Sequence, residues 1–73
     1  MATIYFLSDV NSPILEQESK MSCKAGNLMV YAIENVEEQS FYNIAKTQNA
    51  PLQKISVYTA LDIVAKNAYP ENK

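Results

Sequence analysis

The chain contains a single glycine, Gly26, and that scarcity fixes where its backbone can reverse sharply. Glycine reaches positive φ without steric cost, so two-residue reversals gather at glycine and, less often, at asparagine. Lys24-Ala25-Gly26-Asn27 is therefore the best turn candidate in the sequence. The residues that follow, Leu28-Met29-Val30-Tyr31-Ala32-Ile33-Glu34, are apolar on both alternating faces, which predicts a central strand covered on both sides. Residues 14–23 then form the first arm of a hairpin. A competing reading places Met21, Ala25, Leu28, Met29, Ala32, Ile33 and Val36 on one helical stripe, with Ser12-Pro13 as its start. Residues 14–35 would then be one long helix, weakened at Gly26 by about 1 kcal/mol relative to alanine.

The flanking segments favour the hairpin. Ile4, Phe6 and Val10 alternate with Thr3, Tyr5, Leu7 and Asp9, which predicts a first strand. Asn35 with Glu38 three positions on has the form of a capping box, and Phe41, Ile44, Ala45 and Gln48 share one stripe beyond it. These predict a helix from about Val36 to Gln48, stopped by Asn49-Ala50-Pro51 because the residue before proline leaves the α region. Ile55, Val57, Thr59, Leu61 and Ile63 then alternate with Lys54, Ser56, Tyr58, Ala60 and Asp62. That alternation predicts a last strand with Leu61 in its buried set, against a helical alternative through Val57, Leu61, Val64 and Ala68. The expected fold is α+β, a small antiparallel sheet of three to four strands with one helix in the order β-β-β-α-β. Its alternative is a mainly α helical hairpin after an N-terminal strand.

At 73 residues the chain makes one domain spanning 1–73, and domains of this size bury only roughly 60% of the surface their unfolded chains expose. A hydrophobic content of 48% against 19% charged residues predicts a folded chain. The thin core needs support, yet Cys23 alone closes no intrachain disulfide, so self-association as a homodimer is the expected reinforcement. Cys23, with Lys20 and Lys24 beside it in sequence, reads as a small buried hydrophobe and not as a reactive thiol. The N-terminal apolar run Ile4-Tyr5-Phe6-Leu7 is too short for a signal peptide or a membrane span, and a cytoplasmic setting without membrane contact is expected.

Histidine, arginine and tryptophan are absent, which removes most of the side chains from which reaction centres are built. No histidine stands beside a serine or cysteine as a base, and no Ser-x-x-Lys replaces it. Zinc ligands, a calcium loop and a glycine-rich phosphate loop are all missing, so neither metal nor cofactor is expected. The six cationic residues are lysines scattered along the chain, which argues against nucleic-acid binding. Glu34, Glu37 and Glu38, with Asp62 approaching them, are the one conceivable acid–base set, although carboxylates in a first helical turn ordinarily complement the helix dipole.

Five tyrosines are the one enrichment with functional meaning, because tyrosine joins a large contact area to a polar tip. On the expected sheet Tyr5, Tyr31 and Tyr58 lie one on each of three strands. With Met29 and Ile33 they form an outer platform rimmed by Lys54 and Asp62. The expected site for a protein partner is thus Tyr5, Met29, Tyr31, Ile33, Lys54 and Tyr58, and the expected role is a non-enzymatic interaction module. A one-domain chain with this arrangement of strands and one helix resembles the small inhibitors and regulators encoded by phages and other mobile elements, including anti-CRISPR and polymerase-inhibitor types. The resemblance is one of architecture and assigns a role to no residue. The alternatives are a structural or assembly subunit acting as a homo-oligomer and, last, a minimal enzyme using the carboxylates.

Overall fold

The structure, a computed structural model, describes residues 2–68. It is α+β, with four antiparallel strands in one sheet and three helices. In chain order the elements are β1 (Thr3–Ser8), α1 (Pro13–Glu18), β2 (Met21–Ala25), β3 (Leu28–Glu34), a 3-10 turn over Asn35–Glu37, α2 (Glu38–Thr47), β4 (Gln53–Ile55) and α3 (Val57–Ala68). The strands lie in the order β2-β3-β1-β4. Because β1 runs antiparallel to both β3 and β4, those two are mutually parallel, and the β3-α2-β4 connection crosses over β1.

The hairpin at the lone glycine forms as expected. Ala25 pairs with Leu28, leaving a two-residue loop in which Gly26 has φ +66°. A positive φ at the first central residue and not the second is the pattern of a type II′ turn, whose twist matches the flanking strands. The long-helix reading of residues 14–35 is thereby overturned. Its start signal is nevertheless used: Ser12 Oγ accepts from the Leu15 amide at 3.3 Å and Pro13 opens the short helix α1. Helix α1 occupies part of what the hairpin reading assigned to a first arm, and it ends where the Lys20 amide is captured by the Ala32 carbonyl of β3 at 2.8 Å.

Helix α2 covers Glu38–Thr47 in place of the expected 36–48, because the capping box does not form. The Asn35 amide donates to the Ala2 carbonyl, and the Glu38 carboxylate reaches Lys54 instead of turning back on its own helix. The end of α2 is a Schellman closure. Asn49 takes φ +55°, its amide donates to Lys46 O, and the Ala50 amide donates to Ala45 O at 2.9 Å. Ala45 and Ala50 are both buried, supplying the apolar contact that accompanies this motif.

The main correction concerns residues 55–63. Only Gln53–Ile55 form a strand, and Val57–Ala68 form helix α3 where the alternation predicts a longer strand. Ser56 starts the helix: its Oγ accepts from the Thr59 amide at 3.1 Å and its carbonyl accepts from the Ala60 amide at 2.9 Å. The single expected helix thus becomes three. Leu61, expected in the buried set, stands 63% exposed.

Register decides the two faces of the sheet. Phe6 pairs with Tyr31, Ile4 with Ile33 and Ser8 with Met29, so these side chains share one face, which α1 and α2 cover. That face holds the aromatic core. Phe41 of α2 stacks on Phe6 with ring centroids 5.7 Å apart and meets Tyr31 edge-on at 5.8 Å, while Tyr42 meets Phe6 at 5.1 Å. The opposite face carries Tyr5 beside Ala32 and Leu7 beside Val30, and α3 crosses it. Its buried groups are small, Val30, Ala32 and Ala60 among them, which lets the helix lie close to the strands.

Candidate interaction surface

The expected tyrosine platform is not formed, and the reason is the parity of β3. Tyr31, Met29 and Ile33 fall on the aromatic-core face and are buried beneath α2. The phenol of Tyr31 is a structural tie. It accepts from the Ser12 amide at 3.2 Å and donates to the Val10 carbonyl at 3.0 Å, which fastens the chain between β1 and α1. Burial pushes the pKa of that phenol above the ordinary tyrosine value, so it is harder to ionise; the Ser12 amide opposes the rise and the nearby Glu16 charge adds to it. Lys54 is an exposed residue of β4 on the α2 face, with its ammonium 3.4 Å from Glu38.

Tyr5 and Tyr58 remain on the α3 side of the sheet. Tyr5 is half-buried on β1, and Tyr58 projects from the first turn of α3 with 81% of its surface exposed. Between α3 and the outer edge of β2 lies an apolar groove of about 210 Å³, floored in part by Tyr5 and not lined by Tyr58. Its floor is Tyr5, Val30, Ala32 and the β2 residues Met21 and Cys23. Helix α3 forms the wall through Ala60, Leu61 and Val64. Met21 and Leu61 stand at its mouth, 58% and 63% exposed, so large apolar surface meets solvent on both sides of one hollow. The local sequence explains the exposure. Seated by Ser56, α3 turns Ala60, Ile63 and Val64 toward the sheet and leaves Leu61 at the margin of that stripe.

The four candidate carboxylates do not converge. Glu34, at the end of β3, pairs with Lys20 at 2.7 Å; Glu38 pairs with Lys54; and Asp62 pairs with Lys66 one turn on at 3.2 Å. Glu38 and Asp62 sit on helices that cover opposite faces of the sheet, and Glu37 borders a separate cleft with Glu18 and Ser40. Lys20 also donates to Thr3 Oγ1, and its hydrogen bond to Glu34 raises its pKa above the ordinary lysine value, holding the ammonium protonated. Cys23 is half-exposed and not fully buried; its Sγ lies 3.7 Å from the Lys24 carbonyl.

Leu61 and Val64 were missed as groove residues because the final segment reads as a strand; the Ser56-x-x-Thr59 cap is the signal that identifies the helix. Among the described residues no group of three or more His, Cys, Asp or Glu could hold a metal ion, and no helix is long and apolar enough to cross a membrane. No protein-family model, no curated protein and no solved structure matches this chain.

Proposed function

We propose that the chain is a non-enzymatic binding module that accepts apolar side chains of a protein partner in the groove between α3 and the β2 edge. The observation that carries this reading is the exposure of Met21 and Leu61 on either side of an apolar hollow, with Tyr58 projecting from the same helix. Exposed apolar surface of this kind is costly in a solitary domain and is a common mark of recognition. Large apolar anchors beside a concave site are also the usual source of binding energy between proteins. In this reading the domain acts as a small inhibitor or regulator of the kind that mobile elements encode, by covering a site on its target.

The test compares the parent with Leu61→Asp and Tyr58→Ala as baits in the native host's lysate, followed by calorimetric titration with the purified captured protein. Both positions are exposed, so each variant should keep its folding stability within about 0.5 kcal/mol of the parent's. Loss of binding by Leu61→Asp of at least about tenfold, with a smaller loss at Tyr58→Ala, is the expected outcome. Binding equal in all three proteins refutes the groove as the site.

A further inference from the structure

The two edges of the sheet are not equivalent. β4 offers three residues, follows Pro51, and has Lys54 tied to Glu38. β2 offers five residues with neither proline nor glycine among them. A two-residue turn closes on a hydrogen-bonded pair, so Ala25, Cys23 and Met21 direct their peptide groups to β3 while Ser22 and Lys24 direct theirs outward. Outward peptide groups on an edge strand are a template for another strand.

We infer that the occupant of this edge is a second copy of the chain, paired antiparallel through β2 about a two-fold axis at Cys23. Charge and backbone availability select that register. A two-fold normal to the sheet must pair residues of the same face, which leaves centres at Ser22, Cys23 or Lys24. Centring on Lys24 sets two lysines directly opposite. Centring on Ser22 requires a rung from Lys20, whose amide is already given to Ala32. Centring on Cys23 places Ser22 against Lys24 of the second copy, twice, so all four outward peptide groups on each edge are satisfied and no like charges face each other. Met21 then lies opposite Ala25 of the second copy, an apolar pair. The result is one eight-stranded sheet with α3 of both copies on the same side, so the two grooves adjoin across the axis as one longer apolar trough. This inference rests on the groove reading and enlarges the same site.

Sedimentation equilibrium over about 10 μM to about 1 mM should show a concentration-dependent dimer, as a small, partly polar interface implies. Ser22→Pro removes an outward N–H without touching the ladder to β3, so it should keep the circular dichroism spectrum and weaken dimerisation by at least about tenfold. Cys23 pairs become the closely spaced, non-hydrogen-bonded kind, suited to a disulfide. Treatment with diamide, which takes two electrons and two protons from the thiol pair and is reduced to its hydrazine, should link the parent at least about tenfold faster than the Ser22→Cys, Cys23→Ser variant. A parent that stays monomeric at every concentration, a dimer indifferent to Ser22→Pro, or equal linking rates in the two proteins overturns the pairing. Partner binding by a monomeric parent, lost with Leu61→Asp, would remove this inference and leave the groove reading intact.

Discussion

Replacing Tyr31 with phenylalanine isolates the tie between the core and the chain that links β1 to α1. The ring stays, and with it the contact to Phe41, so the apolar contribution is unchanged. What disappears is the hydroxyl that accepts from Ser12 and donates to Val10. Ser12 is only 4% exposed, so its amide loses its partner without gaining water. The Val10 carbonyl, on a half-buried residue, can rehydrate. One orphaned buried donor costs about 1–3 kcal/mol, and a domain of this size shifts its midpoint by about 4–8 °C per kcal/mol. A loss near the middle of that range lowers the midpoint by roughly 8–16 °C at neutral pH, read by circular dichroism at constant protein concentration. The pH dependence supplies a second arm. The folded state holds the phenol neutral, so its contribution is complete below the ordinary tyrosine value near 10 and declines as pH rises from there toward the raised folded value. The gap between parent and Tyr31→Phe should therefore be constant from pH 6 to 9 and narrow in more alkaline solution. A variant within 2 °C of the parent at pH 7 would show that the Tyr31 hydroxyl does not tie the chain between β1 and α1.

Two further changes test the termini of elements. Gly26→Ala forces alanine into φ +66° and brings its Cβ to 2.9 Å from Asn67 Oδ1, so it should cost about 1–2 kcal/mol; adding Asn67→Ala relieves only the steric part, and full recovery in the double variant would refute the backbone argument. Ser56→Ala removes the cap that starts α3 and should cost about 1 kcal/mol by urea denaturation, whereas an unchanged midpoint would show that packing on the sheet alone seats the helix.

The hairpin, the first strand and the position of α2 were legible because each is dictated by local chemistry: a lone glycine, a clean alternation, and a stripe ended by Asn49-Ala50-Pro51. The last third was not. Its β-branched residues and alternating pattern favour a strand, but after three residues the chain reaches Ser56, and burying Ala60 and Val64 on the small-residue face of the sheet outweighs propensity. The site was misplaced by one register step. Alternation separates Tyr31 from Val30 and Ala32, yet it does not say which set faces the larger helix layer; that depends on Phe41, whose ring meets Phe6 and Tyr31 across long stretches of chain.

The division of the sheet into an aromatic face and a small-residue face sets how such a chain can change over generations. Nearly all the large buried side chains lie between the sheet and α2, far from the groove. Substitutions at Met21, Tyr58 or Leu61 therefore leave the fold largely untouched, and a new target can be met by rewriting one helix surface and one strand edge while the rest of the sequence stands still.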